Sequence, residues 1–272
     1  MSRATVVVPV FNAANALRRC LQAVRATLGD ARPVVIVDDA SDDPAVAGVL
    51  DRHADGWTVI RQRTNRGFVA AANRGMAAAG ESDVILLNSD TVPAGDWAAR
   101  LDRALAQPGV GSATPFTNNG EIASIPDFCR AAPVPADPDA WARACAAAGP
   151  ARYPQIPTAV GFCMAIKRRC LAAVGDFDEA AFGRGYGEEN DWCMRAAAAG
   201  WRHVLCDDAF VAHQGNASFG PLGLGPGDKA MQRLLARHPD YLKRVRAFIE
   251  ADPLARCRQR VLDRLPEASA AR

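Results

Sequence analysis

The chain has 272 residues, of which 49% are hydrophobic and 23% are charged, and its formal net charge is +2. This length accommodates one large α/β domain, or one domain with a modest extension, and the composition is typical of a soluble globular protein. The small net charge and the absence of a dense stripe of Lys and Arg argue against a nucleic-acid partner.

The eight cysteines are scattered along the chain and include no Cys-x-x-Cys pair. A zinc site or a thioredoxin-like redox centre is therefore not expected, and the cysteines are predicted to be small buried side chains in a reducing compartment. The sequence contains no signal-peptide pattern and no run of about 18 apolar residues. We expect a cytoplasmic protein, with a location at the inner face of the membrane or excision from a longer parent as alternatives.

Strands and helices alternate in the first 110 residues. Strands are predicted at 4–12, 33–41, 57–63 and 83–90, and helices at 14–28, 43–54 and 67–79. Strands separated by helices of roughly 10–15 residues predict parallel βαβ units. We therefore predict an α/β protein with a Rossmann-like, mostly parallel central sheet and helices on both faces.

The pattern becomes irregular after residue 115. Residues 115–160 are rich in Pro, Asn and Asp, with one short helix predicted near 139–148. The next segments predict a strand with a helix or turn in 158–182, a helix through 191–199, and one or two strands in 202–213. A linker rich in Pro and Gly then precedes two amphipathic helices, around 228–250 and 253–265. We expect these helices to pack on the preceding domain, with a dimer partner, a neighbouring domain or a membrane surface as alternatives.

Several polar residues follow the predicted strands, where ligands bind to open parallel sheets. These residues are Asn12, Asp38, Asp39, Asn88 and Asp90. A carboxylate after the second strand can accept a hydrogen bond from a pyrimidine imide, although turn and helix-capping roles are equally open to the Asp pair. No glycine-rich phosphate motif is present. A bound nucleotide diphosphate would therefore require a divalent metal and basic side chains.

Three further features indicate chemistry. Asp90 is a hard oxygen ligand suited to Mg²⁺ or Mn²⁺, with an ordinary turn residue as the alternative. Glu188, Glu189 and Asp191 lie within four residues, and acids this close raise one another's pKa, which suits a general base. Acids that only complement a helix dipole are the alternative, above all for Asp191. His213 is a candidate second metal ligand, although a lone His is more often a packed or surface residue.

Seven stretches, taken together, resemble the bacterial family-2 glycosyltransferases of the GT-A fold. They occur in the family's order over about residues 4–220: VVVPVFNAANALRRCL, VVIVDDAS, NRGFVAAANRGM, VILLNSDTVP, GFCMAIKRRCLAAVGDFDEAAF, GYGEENDWCMRA and HQGNASF. The resemblance implies that a sugar is transferred, with inversion, from a nucleotide-diphosphate sugar to a hydroxyl of a glycan or glycoconjugate. It favours a UDP-sugar donor, a Mn²⁺ or Mg²⁺ cofactor, and a role in bacterial polysaccharide or glycoconjugate synthesis.

The resemblance also assigns roles to individual residues. It implies that the donor nucleotide is contacted by Pro9, Phe11, Asn12, Asp38, Asp39, Asn65, Arg66, Asn88 and Ser89. It implies Asp90 and His213 as metal ligands, and Asp90 carries most of the strand-end contact because Asn88 replaces the first acid of the family's Asp-x-Asp motif. Glu189 aligns with the catalytic base and Glu188 with the acid before it, so either is a candidate. The implied acceptor residues are Gly161, Phe162, Asp191 and Trp192.

The predicted domain organisation is a catalytic domain at 1–220 and a helical C-terminal extension at 221–272. The nucleotide-binding half of the domain covers about 1–110 and the acceptor-binding half about 111–220. Two other functions were weighed. A nucleotidyltransferase acting on sugar phosphates usually carries a glycine-rich, basic signature after its first strand, which PVFNAANAL lacks. A non-catalytic sugar-nucleotide-binding module is disfavoured because Asp90, Glu189 and His213 are all present.

Overall fold

A computed structural model describes residues 3–29, 32–215 and 228–265. The strands are β1 (Thr5–Val10), β2 (Val34–Asp38), β3 (Thr58–Arg61), β4 (Val84–Leu87), β5 (Thr91–Pro93), β6 (Val110–Phe116), β7 (Gln155–Ile156), β8 (Cys163–Ile166) and β9 (Arg202–His213). The helices are α1 (Ala14–Leu28), α2 (Pro44–His53), α3 (Phe68–Ala78), α4 (Trp97–Leu105), α5 (Pro138–Ala147), α6 (Arg168–Val174), α7 (Glu179–Phe182), α8 (Glu188–Ala198), α9 (Asp228–Arg237), α10 (Tyr241–Ala251) and α11 (Ala255–Leu262).

The strands form one mixed sheet in the order β3-β2-β1-β4-β8-β6-β9-β5, and β7 also pairs with β9. Strands β1, β2, β3, β4, β6 and β9 run in one direction, whereas β8, β5 and β7 are antiparallel to their neighbours. The prediction of an α/β protein with a mostly parallel central sheet is therefore confirmed.

The sheet is buried on both faces because its central strands are continuous apolar runs. Every residue of β1 is buried, and its side chains alternate between the two hydrophobic cores, as the pleat of a strand requires. Val6 and Val8 lie in one core and Val7 in the other. Helix α3 approaches the sheet closely at Gly75, where a Cβ atom would lie 2.2 Å from Cγ1 of Val7. A larger residue at position 75 would therefore push α3 away from β1.

The C-terminal helices pack on the rest of the molecule, as expected from the sequence. Leu234 and Tyr241 belong to the core that contains Val7, while Leu254 and Val261 belong to the other. The prediction of one helix over 228–250 is wrong, because α9 ends at Arg237 and α10 begins at Tyr241. Pro239, which lacks a backbone N–H, follows α9 and prevents its continuation.

Two other predictions meet the structure at this point. The domain boundary predicted at residue 220 and the linker after it lie outside the described residues. Seven of the eight cysteines are buried and free, and Cys129 is exposed. None of the described helices has the length and apolarity that crossing a membrane requires.

Candidate active site

A cavity of about 710 Å³ lies at the carboxyl ends of β1, β2 and β4. Predicted donor residues that line it are Pro9, Phe11, Asp39, Asn65, Asn88 and Ser89. The parallel strands explain this clustering, since their carboxyl ends meet at one edge of the sheet. The cavity therefore collects most of the predicted donor residues.

Asp39 organises the donor side of the cavity. It directly follows β2 and is 2% exposed. Its Oδ1 atom accepts hydrogen bonds from the backbone N–H of Arg66 (2.9 Å) and from Nε2 of Gln62 (2.8 Å), and its Oδ2 atom accepts one from the N–H of Gly67 (2.7 Å). Burial raises the pKa of Asp39, although the two backbone hydrogen bonds oppose this effect. The carboxylate thus holds the loop that carries Asn65 into the cavity.

Three predicted nucleotide contacts require correction, because Asn12, Asp38 and Arg66 do not line the cavity. Oδ1 of Asn12 accepts hydrogen bonds from two backbone N–H groups of the loop before α2. Oδ1 of Asp38 accepts one from the N–H of Ser41, which closes a turn. The Arg66 side chain forms an ion pair with Glu179 at 2.7 Å. These side chains shape the loops around the cavity and do not face into it.

Asp90 and His213 meet through the pairing of β5 with β9. Thr91 lies opposite His213 in this antiparallel pair, which places Oδ1 of Asp90 3.3 Å from Nε2 of His213. The Nδ1 atom of His213 lies 2.7 Å from the carbonyl oxygen of Asn119. Because a carbonyl only accepts hydrogen bonds, Nδ1 carries the proton, and Nε2 of the neutral ring is directed at Asp90. Burial lowers the pKa of His213, but the hydrogen bond and charge of Asp90 raise it overall.

The atoms beside this pair fit a divalent cation. Oδ1 of Asn88 is buried and, among the residues described, has no hydrogen-bond partner. Carboxylate and amide oxygens with an imidazole nitrogen suit Mn²⁺ or Mg²⁺. The described part of the chain contains no group of three or more His, Cys, Asp or Glu side chains that could hold a metal. A cation here would therefore share its coordination with substrate phosphates and water, as Mg²⁺ commonly does.

Glu188 and Glu189 begin α8, directly after Gly187, whose φ of 102° few other residues adopt. Glu189 is half-buried at the cavity, and burial raises its pKa to about 7. Glu188 is 4% exposed, and its Oε2 atom has no hydrogen-bond partner among the described residues. Burial, followed by the charge of Glu189, raises the pKa of Glu188 well above its usual range. The pair thus separates into a neutral acid and a carboxylate that titrates near pH 7.

We expect Glu188→Gln to stabilise the protein at pH 8 by about 1–3 kcal/mol, the cost of a buried unsatisfied polar group, and to change little at pH 5. The folded-state pKa of Glu188 is raised. Its stabilising contribution is therefore complete below the unfolded pKa, about 4.3, and is lost as the pH rises towards the folded value. Gln carries no such pH dependence. Thermal unfolding of both proteins at several pH values measures the difference.

The matched control for this prediction is Glu81→Gln, since Glu81 is exposed. Its effect on the melting temperature should be small and should not vary between pH 5 and pH 8. An equal effect of Glu188→Gln at both pH values would contradict the burial of a protonated Glu188.

The predicted acceptor residues divide into two groups. Gly161 and Phe162 line the cavity, whereas Asp191 and Trp192 do not. Trp192 is fully buried, and its Nε1 atom donates to the carbonyl of Gly175 at 2.9 Å. This prediction is corrected because α8 turns Trp192 towards the core that packs against the sheet.

Asp191 is also turned away from the cavity, and its carboxylate joins α8 to the C-terminal helices. It contacts Arg195 of its own helix at 2.8 Å, Arg237 at 3.3 Å and His238 at 2.9 Å. The hydrogen bonds to these three groups outweigh burial, so the pKa of Asp191 is lowered. Its role is to fix α9 against α8, which corrects the prediction of an acceptor contact.

The sequence analysis missed one wall of the cavity. This wall is formed by apolar side chains of α9 and α10: Ala230, Met231, Leu234, Tyr241, Leu242 and Val245. The amphipathic pattern of these helices was visible, but it does not say which surface the apolar face covers.

Comparison with solved structures identifies the fold. A structure titled GalNAc-T7 with UDP, GalNAc and Mn²⁺ matches with a TM-score of 0.66 at 16% identity, covering 97% of this chain and 54% of that one. The mannosyltransferase PcManGT from Pyrobaculum calidifontis, in complex with GDP-Man and Mn²⁺, matches with a TM-score of 0.58 at 19% identity, covering 100% of this chain and 76% of that one. The chain therefore has the GT-A fold.

Sequence comparison identifies the family. The profile described as "Glycosyl transferase family 2" matches residues 5–175, more than half of the chain, and the chain belongs to this family. A protein named pre-mycofactocin glycosyltransferase, from Mycobacterium tuberculosis, is 29% identical over 214 residues. That alignment covers 77% of this chain but only 42% of the relative. The resemblance to family-2 glycosyltransferases drawn from the seven sequence stretches is confirmed.

Proposed function

We propose that the protein is an inverting, metal-dependent glycosyltransferase that moves a sugar from a nucleotide-diphosphate sugar to a hydroxyl acceptor. One observation carries the proposal: Glu189 lines the same cavity as the Asp90–His213 pair and the loop held by Asp39. A base, a place for a cation and a nucleotide-sized cleft are the parts that this reaction requires.

The reaction follows from these positions. Glu189 accepts the proton of the acceptor hydroxyl as the acceptor oxygen forms its bond to the anomeric carbon. The bond between that carbon and the diphosphate oxygen breaks, and its electron pair leaves with the nucleoside diphosphate. Attack from the side opposite the leaving group inverts the anomeric centre. Asp90 and His213, with Oδ1 of Asn88, would hold a divalent cation whose charge stabilises the departing diphosphate.

The donor side supports a uracil nucleotide. A carboxylate offers about four acceptor positions, and hydrogen bonds among the described residues occupy three of those on Asp39. The remaining position suits the imide N–H of uracil, and the Phe11 side chain of the same cavity offers an aromatic face to the base. We extend the proposal to a cytoplasmic role in bacterial polysaccharide or glycoconjugate synthesis, which the sequence resemblance implies.

The test is a thermal-shift series with UDP-, GDP- and dTDP-sugars, with and without Mn²⁺. We expect stabilisation by a UDP-sugar that depends on Mn²⁺ and disappears with a chelator, because a ligand that binds only the folded state stabilises it. NMR of the product made from the active donor should show the inverted anomer. Stabilisation by none of these donors in the presence of Mn²⁺ would contradict the proposal.

A further inference from the structure

The wall formed by α9 and α10 is apolar where the rest of the cavity is polar. Met231 and Leu234 of α9 are three residues apart, and Tyr241, Leu242 and Val245 lie on one side of α10. Side chains at these spacings share one face of a helix. Charged residues of the same helices, such as Lys229 and Lys243, are exposed.

This wall adjoins the proposed base and not only the donor side. The Tyr241 phenol hydrogen-bonds with Thr158, and the charge of Glu189 contributes, after burial, to raising the pKa of Tyr241. Val160 and Gly161 follow Thr158 along the cavity, and a Cβ atom at Gly161 would lie 3.7 Å from Cδ of Glu189. The apolar wall therefore begins where the acceptor hydroxyl must sit.

The wall is also incompletely covered. Met231 is 38% exposed, which makes it one of three large hydrophobic side chains that stand out as exposed among the described residues. The other two, Val134 and Ile249, do not line the cavity. An exposed apolar side chain inside a binding cleft indicates an apolar ligand group. Met is suited to this because its flexible thioether adapts to ligands of different shape.

We propose that the acceptor is a hydroxyl compound with an alkyl or aryl group, and that this group packs on Met231, Leu242 and Val245 beside Glu189. The inference rests on the proposed function and adds the chemical class of the acceptor. A bare sugar would place hydroxyl groups against side chains that cannot hydrogen-bond to them, and burying such groups unpaired is unfavourable. An apolar group there leaves water and covers the wall.

The experiment compares methyl, n-hexyl and phenyl β-D-glucopyranosides by isothermal titration calorimetry, with Mn²⁺ and UDP present. We expect the hexyl or the phenyl glucoside to bind at least tenfold more tightly than the methyl glucoside. Whichever of the two is preferred distinguishes an alkyl from an aryl acceptor. In the Met231→Gln/Val245→Thr variant this ratio should fall to about threefold or less. Both positions are partly or fully exposed, which favours correct folding of the variant.

Ile249→Gln is the matched control, because Ile249 is 40% exposed on α10 but lies outside the cavity. It should retain the wild-type ratio. Equal affinities for the three glucosides, no measurable binding, or an unchanged ratio in the double variant would each overturn the proposal. Mn²⁺-dependent stabilisation by a UDP-sugar tests the proposed function separately, so its success alongside a failed preference would reject the apolar subsite alone.

Discussion

Replacement of Glu189 by Gln is expected to lower the rate of sugar transfer by about 10²- to 10⁴-fold, the usual contribution of a positioned general base. Gln preserves the size of the side chain but does not accept a proton from the acceptor hydroxyl. The affinity for the donor should remain close to that of the wild type, because the donor contacts lie elsewhere in the cavity. Initial rates of UDP release, together with donor titration by calorimetry, measure both quantities.

The pH profile and a neighbouring variant make this prediction specific. The wild-type rate should rise with pH through about 7, because Glu189 acts only when ionised and burial raises its pKa to about 7. The remaining activity of Glu189→Gln should lack this rise. Glu188→Gln should cause a smaller loss, since Glu188 is held protonated. A wild-type rate in Glu189→Gln, or a larger loss in Glu188→Gln, would move the base away from Glu189.

The parallel part of the fold was predictable because its signals are local. The runs VVVPV and VVIVD are apolar and β-branched, and helices of suitable length separate them. The antiparallel insertion of β8 between β4 and β6 was not predictable. Cys163–Ile166 is a short apolar run, and such a run fits a strand of either direction. Its partners are set by packing across more than 70 residues of chain, which no local pattern records.

The candidate site divides along the same line. Asp39, Asn88 and Asp90 could be found because residues at the carboxyl ends of parallel strands meet at one edge. The pairing of His213 with Asp90 depends on the register of β5 with β9, and only the family resemblance suggested it. Trp192 was misplaced because closeness to Glu189 in sequence says nothing about which side of α8 faces the cavity.

The second large effect is expected from Asp90→Asn, which should lower turnover by about 10²- to 10³-fold and raise the Mn²⁺ concentration needed for half-maximal activity. Stabilisation of leaving-group charge by a metal contributes several kcal/mol, and each 1.36 kcal/mol corresponds to a factor of ten in rate. Asn retains the shape of Asp but loses the charge that holds a cation beside His213. Mn²⁺ titration of donor hydrolysis measures both changes.

Asp38→Asn is the matched control, because Asp38 lies at the same edge of the sheet and is likewise 8% exposed, but closes a turn. It should change the Mn²⁺ requirement less than threefold. Asp90 and His213 alone provide few ligands, so Mn²⁺ should bind much more tightly when UDP supplies phosphate oxygens. Equal Mn²⁺ affinity with and without UDP, or an unchanged Mn²⁺ requirement in Asp90→Asn, would contradict a cation shared between this pair and the diphosphate.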